Sequence, residues 1–295
     1  MFTTPPKNES GWIHALGAVE IPVLRRTVEE LSRLREREDS LVARDISRVL
    51  LHDPMFTLRV LRFLPTQRKP GLPTEITTVE HALMMLGIAP FFKHFGDLPA
   101  VESMLDEYPL AMEGLLSVIN RARHAALYAR DWAGFRQDIE SEEVVIAALL
   151  HDLAEMLLWC FAPALALRIQ EMQRSDRSLR SNVAQQAVLG FTLIDLQLAM
   201  IAEWKLPALL QSLMDDSHAM QPRAINVLLA VDLARHSANG WDDPALPDDY
   251  AAIQKFLHLP ELEVLERIQR TALQAENERN WYRVDPGPAQ PVLET

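Results

Sequence analysis

Glycine and cysteine are scarce in this sequence, and acidic residues outnumber basic ones. Ten glycines among 295 residues, with leucine, alanine, glutamate and arginine abundant, favour helix over strand. Cys160 is the only cysteine, which excludes a disulfide framework and a cysteine-based zinc site. A reducing cytoplasm is the compartment such usage fits. A formal net charge of −12 argues against direct nucleic-acid binding, which needs basic surface. No apolar run reaches the roughly 20 residues a membrane span needs, so no membrane partner is expected. The opening MFTTPPKNESGW has no apolar core and does not read as a secretory signal. There is no Gly-rich phosphate loop, no nucleophile elbow and no His-Glu-x-x-His.

What remains is helical text around an ordinary hydrophobic content of 48%. Residues 1–12 read as a flexible lead-in. Helices are expected from Ile13 onward, the next two with Pro22 in a first turn and Ser40 as a cap. Asp53 precedes Pro54 and an apolar-periodic segment, which is a helix-start signal, so Asp53 reads as a cap and not as a catalytic group. Three prolines and a glycine between Pro65 and Pro73 mark a loop. Thr77 or Thr78 caps the segment that follows, and Gly87 closes it. His81 and His94 stand alone among apolar neighbours and read as packing residues. Breakers between 97 and 109 divide an N-terminal lobe, 13–105, from a C-terminal lobe, 106–275. Residues 276–295 read as a largely disordered tail, its last part holding three prolines. The expected architecture is all-α, a multi-helix bundle in two packed lobes.

The stretch at 142–159, EEVVIAALLHDLAEMLLW, is apolar nearly all round and must be buried. It nevertheless carries His151, Asp152 and Glu155. Buried carboxylates and imidazoles are paired, or they ligate something. A helical metal phosphohydrolase would need a histidine from one helix and a His-Asp pair from another, with the ion polarising phosphate and acidifying water. His124, His151 and Asp152 meet the first half of that need. His151 and Glu155 are four apart and could pair directly instead. Arg121, Arg123 and Arg130 lie on or near the His124 helix and are candidates for anion binding. A His-Asp dipeptide alone is weak, since His52-Asp53 arises for capping reasons.

Several segments together make the sequence resemble the HDOD family, signalling output modules related to the HD phosphohydrolases. They are IPVLRRTVEELSRL, VLLHDPMFTLRVLRFL, GLPTEITTVEHALMMLGI, ALLHDLAEMLLW and VLGFTLIDLQLAMIAEWKLP, spread over residues 15–270. The resemblance implies an HD-like helical fold and a bacterial regulatory role exercised through contacts with other signalling proteins or by self-association. It equates His124, His151 and Asp152 with the first histidine and the central pair of the HD pattern. The departures are several. Ala154 and Glu155 stand where Gly-Lys is expected, and a carboxylate there would repel phosphate. Leu193 replaces a histidine, Asp215-Asp216 replaces a His-His pair with His218 just beyond, and Pro65-Thr66 replaces Asn-Ser. Asp195, Asp215 and Asp216 could still serve as carboxylate ligands, which suit Mg²⁺ or Mn²⁺. The expectation is therefore a non-catalytic regulatory module with no cofactor. Two alternatives stand beside it: a metal-dependent phosphohydrolase or cyclic-dinucleotide phosphodiesterase using Fe, Mn or Mg, and a nucleotide second-messenger receptor that does not hydrolyse its ligand.

Overall fold

The computed structural model describes residues 1–2, 4–67, 78–176, 178–214 and 221–282, and the side chains of all these except 65–67, 279 and 280. Among the described residues the chain is helical with no strand; an isolated parallel bridge joins Val23 to Ala100. Residues 65–67, read as the start of a loop, continue the helix Pro54–Gln67. The rest of that loop and the end of the tail from 283 lie outside the described residues.

The N-terminal half runs through α1 (Glu9–Ala18), α2 (Arg25–Arg35), α3 (Ala43–Leu50), α4 (Pro54–Gln67), α5 (Val79–Leu86), α6 (Ile88–Phe95) and the short α7 (Val101–Met104). Local chemistry sets their ends. Asn8 caps α1 by accepting from Gly11 N at 2.9 Å, and Thr78 caps α5 by accepting from His81 N at 3.2 Å. Gly87, at φ 83°, ends α5 in a backbone region that a side chain would strain.

Three expectations fail here. The lead-in is packed: Trp12 is buried, and the Phe2 ring sits 5.6 Å from both Trp12 and Phe161. Pro22 precedes α2, in the extended stretch that pairs with Ala100. Ser40 does not cap α3; its hydroxyl donates to Arg37 O, while the Asp45 carboxylate accepts from Val42 N.

The C-terminal half comprises α8 (Pro109–Arg136), α9 (Ser141–Leu150), α10 (Leu153–Phe161), α11 (Pro163–Ser175), α12 (Ser181–Leu189), α13 (Leu193–Glu203), α14 (Ala208–Met214), α15 (Pro222–His236), α16 (Leu246–Leu257) and α17 (Glu261–Asn277), then a 3-10 turn at Arg279–Tyr282. Residues 276–282, expected in a disordered tail, thus form the end of α17, a turn at Glu278 and the 3-10 turn, and Tyr282 is buried. Helix α8 is longer than the five turns its periodicity suggested, because Pro109 at its first position needs no backbone partner. It is the spine of this half, packing on α9, α10, α11, α15, α16 and α17. Gly114 lets α10 approach it: a Cβ there would meet the Trp159 ring at 2.6 Å.

The buried apolar residues form one cluster running through both halves. Each buried leucine, valine or phenylalanine contributes on the order of 1.5–3 kcal/mol, so the continuous core holds the halves together. The segment 142–159 is its middle, but as two helices, α9 and α10, broken at His151-Asp152. By length and composition Ser141–Phe161 could cross a membrane, contrary to the reading of its run length; 83% of the qualifying window is buried inside the protein, as a core helix pair would be.

Candidate site at the His-Asp break

Helix α9 buries every residue from Val144 to Leu150, and α10 buries every residue except Glu155. The break between them carries the polar groups. Asp152 sits at the N-cap of α10, at φ −101° and ψ 29°, and its side chain does not cap the helix. The cap comes from α13 instead. Gln197, 2% exposed, accepts from Ala154 N at 3.1 Å and donates its Nε2 to His151 O. One buried amide thereby satisfies a donor and an acceptor at the break.

Arg121 of α8 crosses to the same place. Its Nε and Nη2 donate to Asp152 Oδ2 at 2.9 and 2.6 Å, and Nη2 also donates to Glu155 Oε2 at 2.8 Å. The three side chains are 17%, 14% and 33% exposed, so water screens these charges only weakly. Burial alone would raise the Asp152 carboxyl; the Arg121 guanidinium foremost, then His151 and Arg235, hold it well below the usual carboxylate range. Burial would lower Arg121, but Glu155 and Asp152 raise it above its ordinary value.

His151 Nδ1 lies 3.2 Å from Asp152 Oδ1. A carboxylate only accepts, so Nδ1 carries the hydrogen. In the neutral ring Nε2 is then an acceptor, and it is buried without a partner among the described residues. The direct His151–Glu155 pair suggested by their spacing does not form, because Arg121 takes Glu155.

Among the described residues the other candidates do not complete a group of three that could hold an ion. His124 lies with its ring edge-on to Tyr128, centroids 6.5 Å apart. Asp195 is exposed at the start of α13, where its carboxylate accepts from the Thr192 hydroxyl at 2.6 Å and its backbone N–H donates back at 3.3 Å. That is a capping arrangement and not a ligand position. Leu193, where a histidine was looked for, is packed into the core. Asp215, Asp216 and His218 lie outside the described residues.

Arg123 turns away from the break. Its Nε and Nη2 reach Glu278 Oε2 at 2.8 and 2.7 Å, and its Nη1 donates to Leu51 O at 3.2 Å. Arg130 is exposed, and Arg123, Glu278 and Asp131 stand near enough to bear on its charge.

Sequence reasoning missed two participants and gave a third the wrong partner. Gln197 announces itself as a lone amide in an apolar helix, the same signal that singled out His151. Glu278 was assigned to the tail, and Arg121 was read as facing a ligand when it faces Asp152.

Among the described residues the donor set does not fit the metal that an HD pattern implies. A guanidinium occupies the carboxylate face of Asp152, and among the described residues no group of three His, Cys, Asp or Glu could hold an ion.

Comparison with known proteins agrees with the architecture. No curated protein sequence matches this chain. The fold is similar to that of the MmoQ response regulator from Methylococcus capsulatus, at 17% identity and a TM-score of 0.60, covering 85% of this chain and 98% of that one. It is also similar to a virulence factor from Campylobacter jejuni, at 15% identity and a TM-score of 0.61, covering 91% and 100%. A model of the HDOD domain matches residues 21–220, more than half of the sequence. The chain belongs to the HDOD family.

Proposed function

We propose that this chain is a non-catalytic module of bacterial signal transduction that acts through contacts with other signalling proteins or with a second copy of itself, in the cytoplasm and without a metal or other cofactor. The observation that carries this reading is the Arg121 guanidinium at 2.6 Å from Asp152 and 2.8 Å from Glu155. A side-chain cation already neutralises the carboxylate that a catalytic ion would need, and Glu155 replaces the cation that would meet a phosphate. Membership of the HDOD family supports a regulatory role, and the solved relative of similar fold that is a response regulator fits it. Membrane and nucleic-acid partners are not part of the reading, since the net charge is −12 and the apolar helix pair is buried.

The test is metal analysis of protein purified from medium supplemented with iron and manganese, beside a phosphodiesterase assay on bis(p-nitrophenyl) phosphate with Mn²⁺ or Mg²⁺. The expected result is substoichiometric metal and no turnover above buffer. A stoichiometric metal that disappears in His151→Ala, with metal-dependent turnover, overturns the proposal.

A further inference from the structure

Glu278 sits in a place made for an oxyanion. Two donor nitrogens of Arg123 converge on its Oε2, Nε at 2.8 Å and Nη2 at 2.7 Å. His52 Nε2 stands 3.5 Å away; because His52 Nδ1 donates to Arg48 O at 2.7 Å, Nε2 is a third donor in the charged ring alone. Among the described residues its Oε1 takes one long contact, 3.4 Å from Gln274 Nε2. The Arg123 side chain is 5% exposed, so its charge is buried and must be met by an anion. That anion comes from 155 residues away, at the C-terminal end of α17. Arg130, seven residues from Arg123, lies on the same face of α8 and adds positive charge beside it. Burial would raise the Glu278 carboxyl; the His52 contact and Arg123 bring it down to about 2, as a pocket that prefers an anion does.

The segment bearing Glu278 is a strap over this charge cluster. Trp281 stacks on the His52 ring at 4.5 Å, Arg26 of α2 lies over Trp281 at 5.7 Å, and the Tyr282 hydroxyl donates to His52 O at 3.1 Å. The cluster is not sealed from water: the Glu278 and His52 side chains are 22% and 20% exposed. An external group could therefore reach the position that Glu278 Oε2 fills.

The geometry points to a latent phosphate site formed by Arg123, His52 and Arg130, closed in this structure by Glu278 acting as an internal substitute ligand. Converging donors around a single oxygen suit a terminal phosphoryl oxygen, and a phosphoryl dianion would answer the cationic groups more fully than one carboxylate does. Binding there would displace the strap at 278–282 and uncouple the end of α17 from α2 and from the α3–α4 junction. This site is separate from the His-Asp break and does not depend on whether that break is catalytic.

The experiment is calorimetric titration of the full chain with inorganic phosphate and with pyrophosphate. Glu278→Gln removes the competing charge but keeps an acceptor for Arg123. It is expected to bind pyrophosphate at least about ten-fold more tightly than the unaltered protein, and adding Arg123→Gln is expected to abolish the gain. Trp281→Ala loosens the strap without touching any charge; it serves where Glu278→Gln melts early, and a several-fold gain is expected from it too. Folding of each variant is checked by circular dichroism. If no folded variant binds pyrophosphate more tightly than the unaltered protein, or if the gain survives loss of Arg123, the proposal is wrong.

Discussion

The chain contains the dipeptide His-Asp twice, and the two copies are used in opposite ways. At His52-Asp53 the carboxylate is fully buried and meets only neutral donors. Its Oδ1 accepts from Met55 N and Phe56 N, both at 3.0 Å, and caps α4; its Oδ2 accepts from Leu24 N and the Thr27 hydroxyl, both at 2.8 Å. At His151-Asp152 the carboxylate meets Arg121 and caps nothing. Burial therefore wins at Asp53 and raises its carboxyl despite four hydrogen bonds, whereas the cation wins at Asp152 and lowers it. The dipeptide itself decides neither outcome; the neighbours that the fold delivers do.

The largest effect is expected at the first pair. Asp53→Ala strands four donors in the core, at the joint between α2 and α4. The expected loss is about 3–5 kcal/mol, measured as the shift in a urea unfolding midpoint. Asp152→Ala still leaves Arg121 facing Glu155 and is expected to cost about half as much. Equal losses from the two alanine variants would break the contrast between a backbone staple and a charge cluster.

Next in size is the cation. Arg121→Met retains the bulk of the stem but leaves Asp152 and Glu155 side by side without a partner. A loss of about 2–4 kcal/mol is expected, less than for a fully buried pair because Glu155 is a third exposed. Adding Asp152→Asn and Glu155→Gln to Arg121→Met should recover most of it. A triple variant no more stable than Arg121→Met would show that Arg121 acts through packing and not through charge.

The pH dependence separates the pairs by sign. Asp152 lies below the ordinary carboxylate value near 3.9, so its stabilisation is present above that value and is lost as pH falls through the folded one. Glu278, at about 2, behaves likewise, losing its stabilisation as pH falls from about 4.5 toward 2. Asp53 lies above the ordinary range, so its ionised form costs stability at neutral pH, and that cost is relieved as pH falls through the folded value toward 3.9. Asp152→Asn should therefore flatten the acid-side fall of stability, and Asp53→Asn should steepen it, each by up to about 1.4 kcal/mol per pH unit. Urea midpoints at half-unit steps from pH 7 to about 2 read this directly. Slopes that move in the same direction in both variants would contradict the opposed environments.

Much of the helix framework was legible in the sequence because helix ends are local. Asp53 before Pro54, Thr78 before an apolar run, and Gly87 at a helix end each act on residues within four positions. The break at His151-Asp152 was not legible: apolar residues continue on both sides, with no glycine or proline to mark it. The site was legible in its members but not in its pairing. Arg121 meets Asp152 across 31 residues and Arg123 meets Glu278 across 155, and no spacing rule reaches that far. The tail was misjudged for a related reason, since Trp281 and Tyr282 are held by His52, which only the tertiary fold brings near.

The smallest expected effect concerns which group caps the helix after each pair. Asp53 caps α4 itself, whereas Asp152 is drawn off by Arg121 and the role passes to Gln197, whose Oε1 takes Ala154 N at 3.1 Å. Gln197→Leu has nearly the same volume but leaves Ala154 N and His151 O without partners. A loss of about 1–2 kcal/mol follows from the orphaned groups. The sharper readout is hydrogen exchange by amide. In Gln197→Leu the Ala154 amide should exchange faster while Met55 and Phe56 keep their protection, because their cap is supplied from within the first pair. Uniform acceleration at both helix starts would mean that the second cap is not Gln197 but the packing of the whole core.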